Sequence, residues 1–212
     1  MKRRLGLATL GLTVSAAVLA ACGSDTTTGI KFVGNSTCPT AGASPYSPMP
    51  PGTNGGTVVG TPIDEMPHQH VPIGTNVQYD HDPPTSGCHY ISSDPARPAP
   101  LLPGFYGTEI PAEYWVHNLE HGYIVVLYNC PQGCPEEAKK LADWRKTLPA
   151  DPAAGGALPY AKVVILPWHS MAKKFAAVSW DYYIGWDTLD INKVQAFYDN
   201  HVGHSPEGTM AG

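Results

Sequence analysis

No amphipathic periodicity appears before about residue 60, and this limits what the chain can fold into more than any other feature. Met1-Lys2-Arg3-Arg4 is a basic start, and Leu5 to Ala20 is an apolar run too short and too rich in Ala, Gly and Thr to span a membrane. Residues 23–60 are mostly Ser, Thr, Gly, Pro and Asn, which cannot bury enough apolar surface to fold by themselves. The expected organisation is a signal peptide over residues 1–21, a disordered tether over 22–60, one globular domain over 61–207 and a tail over 208–212. Within the domain, the 22 Gly and 22 Pro of the chain disfavour long exposed helices and coiled coils. The net charge of −5, or −8 once the three cations Lys2, Arg3 and Arg4 leave with the signal, offers no basic surface to a phosphate backbone. Nucleic acid is excluded as a partner.

Leu19-Ala20-Ala21-Cys22-Gly23 resembles the lipobox of bacterial lipoproteins, which implies that Cys22 becomes an acylated first residue. The expected location is the extracytoplasmic face of a bacterial membrane, held by lipid and not by a span. Outside the cytoplasm Cys38, Cys88, Cys130 and Cys134 can oxidise, in any of three connectivities. Cys130 and Cys134 close a short loop, so their pairing is the simplest choice, and Cys38 with Cys88 follows by elimination. A thiolate zinc site is the rival, although the two Cys-x2-Cys knuckles it normally uses are absent.

Strands are expected over Val71 to Tyr79, Gly122 to Tyr128 and Ala161 to Leu166, with one or two more in Phe175 to Trp186. Pro135-Glu136-Glu137 opens a helix carrying Leu141, Trp144 and Leu148 at helical spacing, and Asp190 caps a second with Val194, Phe197, Tyr198 and His201 facing the core. The fold class is α+β: a single domain with a mainly antiparallel sheet and two or so helices.

The chemistry lies in nine histidines, clustered as His68-Gln69-His70, Cys88-His89 and His117-Asn118-Leu119-Glu120-His121. Two His four residues apart share one face of a helix or a strand and can converge on one ion. His-x-x-Glu-His is also the inverted zincin pattern, with Glu120 as general base, but the strand-like residues after Gly122 leave little helix to hold it. No Gly-x-Ser-x-Gly elbow and no phosphate-cradling Gly-rich loop is present.

Pro83-Pro84-Thr85-Ser86-Gly87-Cys88-His89 followed by Val116-His117-Asn118-Leu119-Glu120-His121-Gly122 resembles the bacterial domain of unknown function family 3105. The likeness runs from about residue 66 to 207 and includes His70 and Ser205-Pro206-Glu207; members often have Pro where this chain has Cys88. It implies a fold neighbourhood and no activity. His70, His89, His117 and His121, with Met171 as a further candidate, are the expected metal ligands, and Glu120 is expected to orient an imidazole through its other ring nitrogen. Imidazoles with a thioether suit copper, and zinc is the runner-up. Affinity is expected to fall as pH drops through the histidine range. The sequence thus points to a lipid-anchored copper or zinc protein for sequestration, delivery or sensing, with an unidentified transfer partner and no need of catalysis. The competing readings are an envelope interaction module with structural histidines and a metal-dependent hydrolase.

Overall fold

The Val- and Ile-rich runs become strands buried on both faces. A computed structural model describes Asn35, Ser36, Cys38, residues 57–150 and residues 158–207; contacts divide the chain into Met1–Lys31 and Phe32–Gly212, and every described residue belongs to the second unit. The leader, Cys22, most of the tether and the tail lie outside the described residues. In chain order the elements are β1 (Asn35–Ser36), β2 (Thr61–Pro62), β3 (His70–Val71), β4 (Asn76–Val77), β5 (His89–Tyr90), β6 (Gly104–Phe105), α1 (Ala112–Glu120), β7 (Ile124–Tyr128), α2 (Pro135–Thr147), β8 (Val163–Pro167), β9 (Phe175–Ser179), β10 (Tyr182–Trp186) and α3 (Ile191–His201). Among the described residues no helix is long and apolar enough to cross a membrane.

Six strands form one mainly antiparallel sheet in the order β2-β10-β9-β7-β8-β6, with β7–β8 and β8–β6 parallel. The parallel β7–β8 pair is closed by α2, as a crossover must be. Side chains alternate across the sheet: Val125, Leu127, Val164 and Leu166 join the core under α1, while Ile124, Val126, Val163 and Ile165 join the core under α2 and α3. Burial on both faces is why these strands read as continuous apolar runs. Phe175 to Trp186 is a hairpin of β9 and β10, turned at Trp180-Asp181 with Asp181 at φ 60.

The expected single strand over Val71 to Tyr79 is instead two short pieces, β3 and β4. Pro72 has no N–H to give a ladder, and the Thr75 N–H turns back to the Pro72 carbonyl at 3.0 Å, with Gly74 at φ +91. Each piece pairs in parallel with a distant segment, β1 with β4 and β3 with β5. Helices α2 and α3 follow their signals: Pro135 sits at the first turn of α2, and the Asp190 carboxylate accepts the Asn192 N–H at 3.0 Å to cap α3. The disulfides are Cys38–Cys88 and Cys130–Cys134, and Cys134 stands immediately before α2.

Helix α1 was not expected. All nine of its residues are buried, so no polar face advertises it. Its polar groups are met inside the protein. Glu113 accepts the Val77 N–H at 3.0 Å, and Asn118 exchanges two 2.8 Å hydrogen bonds with the Leu101 backbone. The helix ends in a Schellman motif, Tyr123 N–H to Asn118 carbonyl at 3.0 Å and Gly122 N–H to Leu119 carbonyl at 2.9 Å, with Gly122 in the left-handed region at φ +77. The fully buried Lys162 ammonium donates to the His121 carbonyl at 2.9 Å, a cation at the negative helix end.

Candidate metal centre

Helix α1 and strands β3 and β5 bring the histidine segments together. Register pairs His70 with His89 across the β3–β5 ladder, and α1 lies against β5, so His117 faces both. Ring centroids are 5.0 Å apart for His70 and His89, 4.8 Å for His70 and His117, and 4.8 Å for His89 and His117. His89 Nδ1 is 2.9 Å from the Gly87 carbonyl, and His117 Nδ1 is 2.6 Å from the Tyr90 carbonyl. Carbonyl oxygens only accept, so both Nδ1 atoms carry protons, and the Nε2 of each ring is the nitrogen left for a further partner. Gly87, at φ +121, bends the chain so that its own carbonyl reaches the His89 ring.

Glu120, one turn after His117, completes the group. Its Oε2 lies 2.9 Å from His89 Nε2 and 3.8 Å from His70 Nε2. One donor atom from each of His70, His89, His117 and Glu120 lies within 4.8 Å of all the others. Donors on a tetrahedral ion at about 2.0–2.1 Å stand roughly 3.3 Å apart. The group is therefore close to a single coordination sphere, slightly expanded. His89 and His117 are buried, while the His70 side chain is 41 % exposed and leaves one side open to solvent.

The electrostatics keep donors available to a cation. Burial, then the like charges of His89 and His121, push the His117 imidazole down to about 3, against the Tyr90 carbonyl. Burial and the His89 charge lower His70 too. Burial alone would raise Glu120, but the His89 hydrogen bond and charge, with the charges of His117 and His68, hold its carboxyl below the ordinary range. A neutral imidazole at His117 and an ionised carboxylate at Glu120 are the states that a metal ion requires of these two ligands.

A further shell surrounds this group. His68, buried edge-on against Trp180, has Nδ1 3.1 Å from Glu65 and Nε2 3.7 Å from Glu120. Glu65 also accepts the Trp180 indole N–H at 3.2 Å. On the other side His121 Nε2 lies 3.0 Å from Glu207. Glu207 is delivered by the chain after α3. There the Gly203 N–H bonds the Gly122 carbonyl at 2.8 Å, and a Cβ on Gly122 would stand 2.7 Å from Gly203 Cα. Gly122 has to be a glycine for that approach.

A family model described as "Protein of unknown function (DUF3105)" matches residues 70–211. The chain belongs to the DUF3105 family. No curated protein and no solved structure matches it. In this DUF3105 protein the matched region starts at His70 and includes His89, His117, Glu120, His121 and Glu207.

The DUF3105 domain distributes the expected site residues unequally. His70, His89 and His117 come together, and Glu120 stands among them as a donor and not only behind an imidazole. His121, expected to share an ion with His117, belongs to a neighbouring group with Glu120 and Glu207. The two His of the His-x-x-Glu-His run thus serve different groups, unlike the inverted zincin arrangement. Met171 is a core residue whose carbonyl accepts from Asn129 Nδ2 at 2.9 Å beyond the end of β7, whereas Glu120 and His121 precede that strand. The donor set is built without its thioether. His201 gives Nε2 to the Val59 carbonyl at 2.7 Å, and His169 pairs with Glu109. Sequence reasoning missed His68 and Glu207. The two-residue spacing of His68 and His70, which aligns side chains in extended chain, was the available signal for the first.

Proposed function

We propose that this DUF3105 protein binds a transition-metal ion through His70, His89, His117 and Glu120, at the extracytoplasmic face of a membrane, for sequestration, delivery or sensing. The observation that carries this reading is the pair of buried imidazoles whose Nδ1 protons are committed to backbone carbonyls and which share a group of donors within 4.8 Å of one another with His70 and Glu120. That commitment fixes tautomer and ring orientation as outer partners of metal-bound histidines do. Three nitrogens and a carboxylate suit zinc and copper(II), and with no thioether in the set a cuprous preference loses its basis. The solvent-open side at His70 suits exchange of the ion with a partner more than a closed structural site.

Titration of the full chain, purified without an affinity tag, is expected to show tight binding of both metals, copper(II) tighter than zinc. A protein that binds neither better than its His89→Ala variant would leave these histidines structural. The lipid anchor rests on the Leu19-Ala20-Ala21-Cys22 run, and Cys22→Ser is expected to move the protein out of the detergent phase in phase partitioning. Unchanged partitioning would remove the anchor from this proposal.

A further inference from the structure

We propose that the centre holds two cations and that Glu120 bridges them, the second ion being taken by Glu120, His121 and Glu207. The inference rests on the ion proposed above, since Glu120 is shared. One donor atom from each of these three residues lies within 4.8 Å of the other two, as in the first group. The groups are adjacent: the His117 and His121 rings are 4.6 Å apart and perpendicular, one turn apart at the end of α1. A carboxylate has two oxygens: Glu120 Oε2 faces His70 and His89, and Oε1, 3.7 Å from His68 Nε2, is the one left for a second ion.

Glu207 reaches the centre by construction. The Gly122–Gly203 approach lays the last described segment against the end of α1, Ser205 is buried, and the Glu207 N–H bonds the Glu120 carbonyl at 3.4 Å. The result brings a second carboxylate up to Glu120. A cation between the two carboxylates would screen their mutual repulsion. The His121–Glu207 contact at 3.0 Å then marks one edge of the second ion's sphere. One nitrogen with two carboxylates is a harder donor set than the first group, and it suits a divalent ion such as zinc or manganese.

The test loads the untagged full chain with zinc, removes excess by gel filtration and measures zinc per chain. Two per chain are expected in the wild type and one in both Glu207→Gln and His121→Gln. Zinc absorption fine structure is expected to show a metal–metal distance of about 3.5–4 Å that Glu207→Gln abolishes. One zinc per wild-type chain, or two with no metal–metal distance, would overturn the second site and leave the first standing. None would overturn the metal reading itself. Glu207→Gln that keeps both ions, or loses both, would also overturn the bridged arrangement.

Discussion

His117→Ala is expected to weaken zinc and copper(II) binding by about a thousandfold, on the order of 4 kcal/mol. The substitution removes an Nε2 donor aimed at the first group and leaves the Tyr90 carbonyl, now bonded at 2.6 Å, without its partner. His201→Ala is the matched control. It also deletes a buried imidazole bonded to a backbone carbonyl, so it destabilises the fold, yet it should leave metal affinity unchanged. Competition with a chromophoric chelator reads both.

The pH dependence separates this site from three ordinary imidazoles. With His117 held down at about 3, protons do not compete for this ligand where a free histidine would be charged, and His70, also lowered, gives up its proton more readily than a free histidine. Affinity should therefore fall less steeply between pH 7 and 5 than the sequence alone suggested, with proton competition at His117 entering only near pH 3. A slope approaching three protons per ion in that window would refute the placement of these side chains.

The second large effect is on stability. Asp181, 5 % exposed at the β9–β10 turn, has neither carboxylate oxygen in a well-formed hydrogen bond. Burial, then the charge of Glu65, pushes its carboxyl up to about 7, and the nearby Ser86 hydroxyl offsets only part of this. The folded state therefore keeps a proton that the unfolded chain gives up near 3.8, so stability is lost as pH rises from 3.8 to 7 and the full penalty stands above 7. Asp181→Asn removes the charge, and Asn tolerates the positive φ of that turn. The variant should be more stable at pH 8 by on the order of 3 kcal/mol and little changed at pH 4.

His117 and His201 act in the opposite sense. Burial lowers them to about 3 and about 4 from 6.5, so the unfolded chain binds protons that the fold refuses, and stability falls as pH drops below 6.5. Between pH 3.8 and 6.5 the Asp181 slope therefore opposes the histidine slope in the metal-free protein, and above 7 both are spent. In Asp181→Asn the rise in stability from pH 4 to 6.5 should steepen; an unchanged slope in chemical denaturation would show that Asp181 is not held as described.

What the sequence determined is what local rules govern. The apolar runs of β7 and β8, the proline start of α2, the Asp190 cap of α3 and the short Cys130–Cys134 loop each act over a few residues, and the motifs around His89 and His117 marked two donors. Helix α1 escaped because its polar residues are satisfied by buried partners instead of solvent, although Gly122 as its terminator was present to be read. Only the tertiary structure decided that His70 meets His89 through a parallel ladder, that Glu120 is a donor while His121 turns to Glu207, and that Met171 goes to the core. The assembly of a site from distant segments depends on contacts such as Gly122 against Gly203, and no local periodicity encodes which distant backbone will fill the space that a missing Cβ leaves.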